Sequence, residues 1–294
     1  MSLNRLPRAT LSTLRLHAQI VRRNWLAVLS VCAILATILL RHAYHSSTQF
    51  AAYLFAVWLG AFVTDVIVSL FPSKAIGFPI RHSKLQEALV VLAFTALAFV
   101  PLIIRFSRLW PIPTLLPRLA FAAGLFLFSF FIALACVFFF VYRYKPSELG
   151  FNFRFWYLAL FIHLIFGIVT LTVAHEKSHW QSWFHSEGIS GVLITGVLQA
   201  AIPEEFMRTL LMTRLAALFR NNGMGLFVAT FLWACLHIPS FWSQSPQFTV
   251  WQAAISPWDI IPIGLLWGYI TWRTKSLFPT VMVHGLNLWG LQNL

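Results

Sequence analysis

The chain of 294 residues is 59% hydrophobic and only 10% charged, with a mean hydropathy of +0.77. Soluble domains carry about 25% charged residues, so a soluble core cannot hide this much apolar surface and the bilayer is the expected solvent for most of it. The net charge of +13 does not point to nucleic acid, because the basic residues sit at the ends of apolar runs, where membrane topology is encoded.

In chain order, Arg5, Arg8, Arg15, Arg22 and Arg23 precede a first apolar run from Trp25 to Leu40. The run is longer than a signal-peptide core and no small-residue cleavage site follows it, so it reads as a retained span. A spanning helix needs about 20 mostly apolar residues. Stretches approaching that length are 24–41, 50–71, 85–104, 119–142, 155–174, 189–213, 224–239, 258–272 and 276–292. Pro111, Pro113 and Pro117 punctuate the connection between the third and fourth. The expected fold is therefore an all-α, polytopic membrane bundle of about eight to nine transmembrane helices. The polar connection Arg143–Arg154 divides it into an N-terminal bundle of about four spans (1–150) and a C-terminal core (151–294).

With nine spans and a cytoplasmic N-terminus, fifteen of the 21 Lys and Arg fall in inner segments. Five (Arg41, Arg105, Arg108, Arg118 and Lys177) fall outside, and Arg208 alone lies within a span. That asymmetry predicts a multi-pass cell-membrane protein with its N-terminus in the cytoplasm and its C-terminus outside. Cys32, Cys136 and Cys235 lie in apolar stretches without pair spacing and read as small core residues.

Only eight acidic residues are present, and two of them, Glu204 and Glu205, stand side by side in the sixth span. Burying an ionisable group in a membrane costs at least about 2.5–3.5 kcal/mol, so Glu204, Glu205 and Arg208 within five residues need a reason. Glu204 and Arg208 share a helix face at i,i+4. An ion pair would use one glutamate and leave the other, whose pKa a low-dielectric pocket would raise towards that of a general base. Pro203 removes a backbone donor and frees the carbonyl of Gln199 just before the acids. Asp65, in the second span, reads as polar packing.

Two later spans each bring a histidine. Trp233 and His237 share one face, with Pro239 closing the helix, and His284 is followed one turn later by Asn287. A carboxylate that deprotonates water, with imidazole and carboxamide groups to hold an oxyanion, is a kit for peptide hydrolysis without a metal.

This order of motifs (Glu204-Glu205 then Arg208, Trp233 ahead of His237, His284 with Asn287) resembles the CAAX-protease and bacteriocin-processing family of intramembrane glutamic proteases. That family includes the type II CAAX prenyl endopeptidase. The approach Gly268–His284 is also similar to the family's last motif, and the resemblance covers about residues 189–292. It implies an intramembrane endopeptidase with no cofactor and a membrane-anchored or C-terminally processed protein as substrate. In it Glu204 or Glu205 activates water, His237, His284 and Asn287 position it and hold the oxyanion, and Arg208 and Trp233 support the site. Only Phe206 and Met207 separate the glutamates from Arg208, fewer than is usual, which leaves the choice of base between Glu204 and Glu205 open.

A rival reading starts from His175-Glu176-Lys-Ser-His179, which matches the HExxH zinc-protease pattern. The pattern falls at the end of the fifth span rather than within a regular helix, and Lys177 would place positive charge beside the metal. A non-catalytic membrane scaffold or immunity factor and a proton-coupled transporter are the remaining alternatives.

Overall fold

The computed structural model describes residues 5–40, 47–72, 77–106, 129–173, 186, 188–244 and 247–287. Among them the secondary structure is entirely helical. The helices are α1 (Arg5–Arg23), α2 (Trp25–Leu40), α3 (Ser47–Leu70), α4 (Lys84–Phe106), α5 (Ser129–Val141) and α6 (Leu158–Val173). A π-helical segment, Val192–Ala201, then leads without a break into α7 (Ile202–Phe219). After it come α8 (Asn222–Cys235), α9 (Ile238–Gln244), α10 (Val250–Ile255), α11 (Ile261–Thr274) and α12 (Phe278–Leu286).

Three helical stretches among the described residues are long and apolar enough to cross a membrane: Ser47–Leu70, Asn222–Trp242 and Val250–Thr274. The α1–α2 pair makes a fourth if it is one span, although it bends by 89°. Lipid as solvent explains what would otherwise be misplaced apolar surface. Leu26, Leu29 and Leu39 of α2, and Leu160, Phe161, Leu164 and Ile168 of α6, all point away from the packed interior. Cys32 and Cys136 do the same, so these two are surface residues of apolar helices rather than the core residues the sequence suggested, and only Cys235 is half-buried.

The chain forms two compact units that interleave in sequence. One comprises Met1–Phe78, Pro146–Phe206 and Leu265–Leu294, and the other Pro79–Lys145 and Met207–Gly264. In the first, α12 lies directly against the π segment because both carry glycine at the crossing. A Cβ on Gly196 would sit 2.5 Å from the carbonyl oxygen of Gly285, and one on Gly285 would sit 2.5 Å from Cγ2 of Val197. Small residues of this kind let helices in a membrane approach closely. The turn between α11 and α12 is pinned by one backbone bond and one from the Asn152 side chain. Leu277 N–H donates to Gly150 O (2.8 Å), and the Asn152 amide donates to Lys275 O (2.8 Å). Gly150 holds φ +88°, a left-handed conformation that glycine takes without Cβ strain.

In the second unit, Glu87 is fully buried and was not singled out by sequence. Arg214 Nε (3.0 Å), the Tyr144 hydroxyl (2.7 Å) and the His82 backbone N–H (3.0 Å) all donate to it. Arg214 is itself fully buried and its guanidinium lies over the rings of Phe138 and Tyr144. A buried carboxylate with this set of donors is neutralised in place, which is how such a charge is tolerated.

Candidate active site

Pro203 stands in the first turn of α7 and has no N–H, so an ordinary i→i−4 bond to the carbonyl of Gln199 cannot form. The helix reaches it in the wider π register, where the N–H of Ile202 bonds to Val197 O, five residues back. Such wide turns recur at functional sites. Glu204 and Glu205 follow immediately. Neighbouring residues on a helix point about 100° apart, and the two carboxylates have different surroundings. Glu205 is fully buried, whereas the Glu204 side chain keeps 25% of its surface open.

One imidazole meets both. His284, on α12, places Nδ1 2.9 Å from Oε1 of Glu205 and Nε2 3.8 Å from Oε2 of Glu204. The glycine crossing is what permits this, since Gly285 is the next residue and Gly196 lies eight before Glu204. The face of the ring is fixed as well. Trp267 of α11 stacks on it with centroids 4.1 Å apart and planes 22° apart. Trp267 is buried, and its carbonyl accepts a hydrogen bond from Thr280 of α12 (3.1 Å), whose hydroxyl also meets Thr271 (2.7 Å). These bonds lock α11 to α12 one turn from the imidazole. Asn287 follows His284 at i+3, and its Oδ1 is buried without a hydrogen-bond partner among the described residues.

The second unit holds the other sequence-predicted residues. Arg208 and Trp233 are both buried, the guanidinium 5.3 Å above the indole. Arg208 also donates to the carbonyl of Gly264, where a Cβ would lie 2.7 Å from the Trp233 ring. His237 Nδ1 lies 3.0 Å from the Trp233 carbonyl, with its ring edge-on to the indole. A carbonyl only accepts, so Nδ1 carries the proton and Nε2 is the nitrogen through which His237 would act.

Asp65 is a buried hub in the first unit. It accepts from Tyr269 (2.5 Å), from His17 Nε2 (2.8 Å) and from Arg273 Nε. The helices α1, α3 and α11 therefore meet at one carboxylate. In the first unit, Trp267 and Asp65 are residues whose importance sequence reasoning missed or understated. Trp267 immediately precedes the Gly268–His284 approach to the last motif, but no local spacing links it to His284 on another helix. His175, Glu176 and His179 of the HExxH match lie outside the described residues. Among the described residues, no three His, Cys, Asp or Glu side chains converge as a metal-binding set.

Two carboxylates sharing one aromatic-clamped imidazole, at the start of a helix opened by proline, are an arrangement suited to acid–base chemistry in a membrane helical protein. Residues 185–289 match the family model described as Type II CAAX prenyl endopeptidase Rce1-like. The stretch contains every residue of the Glu, His and Asn motifs, so this part of the chain is similar to the CAAX-type membrane proteases that those motifs resemble. No curated protein and no solved structure matches the chain.

Proposed function

We propose that the chain is an intramembrane endopeptidase that cleaves a membrane-associated protein or peptide with water activated by Glu204. The observation that supports this reading is the His284 imidazole between a buried Glu205 and a partly open Glu204. Glu205 accepts from Nδ1–H and fixes the tautomer, which leaves Nε2 with a lone pair on the Glu204 side. A carboxylate that orients an imidazole in this way also stabilises the imidazolium when it forms.

In the reaction, the water oxygen attacks the scissile carbonyl carbon as Glu204 takes one of its protons. The proton passes to Nε2 of His284 and on to the departing amide nitrogen. The C–N bond then breaks, giving a carboxylic acid and an amine. Asn287, through its carboxamide N–H, and His237 are assigned to hold the oxyanion of the tetrahedral intermediate. Arg208 and Trp233 support the glutamate helix. No cofactor is required, and residues 151–294 form the protease core behind an N-terminal bundle. The whole chain crosses a cell membrane eight to nine times with its N-terminus in the cytoplasm. The substrate is a membrane-anchored or C-terminally processed protein.

The test is cleavage by the purified protein reconstituted in vesicles. Membrane proteins that accumulate uncleaved when Glu204 and Glu205 are both changed to Gln supply the substrates. Cleavage that persists in the double variant overturns the reading.

A further inference from the structure

The N-terminal helix α1 has a surface that neither the fold nor hydrolysis uses. Over its 19 residues it contains no acidic residue. Arg8, Arg15 and Arg22 recur at seven-residue intervals, so they drift only about 20° per step and form one stripe along the helix. All three are exposed. Arg8 and Arg15 line one shallow depression together with Leu11, Ser12, Leu16 and Gln19.

A second face, carrying Leu11, Leu14 and Val21, is exposed and apolar. At 100° per residue Leu14 and Val21 lie about a quarter-turn to a third of a turn from the arginine stripe, and Leu11 lies between the two, about 40° from the stripe. A third face carries Ala9, Thr13 and His17. Ala9 and Thr13 are buried, and His17 reaches Asp65 of α3. The apolar face is therefore not turned into the protein.

The orientation of α1 follows from the bend. Asn24 ends α1 by donating its side-chain amide to Ile20 O (2.8 Å), and α2 leaves at 89°. Every residue of α2 is uncharged and most are apolar. With α2 across the bilayer, α1 lies in the plane of its surface, with exposed Trp25 at the corner. A helix lying flat, with apolar residues on one side and a cationic stripe beside them, matches the chemistry of an interface between acyl chains and anionic headgroups.

We propose that α1 is an interfacial helix that binds anionic phospholipid in the bilayer surface. Arg8, Arg15 and Arg22 engage headgroup phosphates, and Leu11, Leu14 and Val21 enter the acyl region. His17 and Asp65 hold the helix to α3 while its other two faces meet lipid. The inference rests on membrane insertion and not on hydrolysis.

The test is photo-crosslinking of the full-length protein in phosphatidylcholine vesicles doped with photoactivatable phosphatidylglycerol, with crosslinks mapped by peptide. Labelling within residues 5–23 should be displaced by unlabelled phosphatidylglycerol on the order of tenfold more effectively than by phosphatidylcholine. The preference should shrink at high salt. Arg8→Gln/Arg15→Gln/Arg22→Gln should abolish it, while the corresponding triple change to Lys, which keeps the charge and reports on folding, should retain it. Glu204→Gln should label like the wild type, which separates this outcome from the fate of the hydrolase reading. Equal displacement by the two lipids, or a preference that survives the triple change to Gln, overturns the proposal.

Discussion

Two buried carboxylates in the same compact unit each meet an imidazole and differ in what else surrounds them. Asp65 is contacted by a guanidinium, a phenol and an imidazole, all donating to it. Those donors hold its carboxyl fixed, an arrangement suited to joining helices. Glu205 meets the imidazole of His284, whose other nitrogen faces a second and partly open carboxylate. A proton can move within that set. A buried acid surrounded by cationic and hydroxyl donors is a structural device, whereas one that shares a histidine with an accessible acid has the layout of a proton relay.

The comparison breaks if exchange of a residue has the effect expected of the other cluster. After Glu204 itself, the largest effect should come from His284→Ala, with a fall in turnover of about 100–10,000-fold, the span of general acid–base catalysis, measured in vesicles with the protein shown to be folded. Near wild-type turnover would assign the imidazole to packing. Gly196→Ala places a methyl against the Gly285 carbonyl and must push α12 away from the π segment. Displacement of about 1 Å at a reacting centre costs on the order of 100-fold, so turnover should fall by that order while the purified protein stays monodisperse. Asp65→Asn should show the opposite pattern. It removes a charged acceptor from three donors and should cost about 1.5–3 kcal/mol of stability, read as a lower melting temperature, with turnover per folded molecule little changed. The smallest effect belongs to metal removal. Incubation with a chelator should leave turnover within about twofold, since the proposed chemistry routes no step through a metal ion. Loss that zinc restores would bring back His175, Glu176 and His179.

How much of this was legible in sequence depends on whether the signal was local. The apolar runs around α3 and α8–α9 announced helices directly, because spanning requires length and hydropathy that few other structures need. Glu204 and Glu205 stood out because an apolar span makes every charge conspicuous. Their inequality was legible only as an angle on a helix. Which carboxylate is enclosed depends on α12, and α12 is positioned by the Gly196–Gly285 crossing, a contact between glycines almost ninety residues apart. Trp267 escaped notice for the same reason, since a tryptophan in an apolar helix gives no hint of the ring it will stack on. Glu87, near the start of an expected span, was not singled out, because its partners Tyr144 and Arg214 are remote in sequence. The π register before Pro203 had a local cause in the missing N–H, but proline alone predicts an opened helix and not the form the opening takes.

The central claim is that Glu204 carries the proton of the attacking water while Glu205 orients His284. The most direct measurement is the turnover of Glu204→Gln and Glu205→Gln side by side in reconstituted vesicles, each with a thermal melt. The account predicts that Glu204→Gln melts like the wild type and loses about 100–10,000-fold in turnover, the span assigned to general-base catalysis. Glu205→Gln should melt at a lower temperature and keep measurable cleavage. A stable, inactive Glu205→Gln beside an active Glu204→Gln would contradict it and move the catalytic base one residue along the helix.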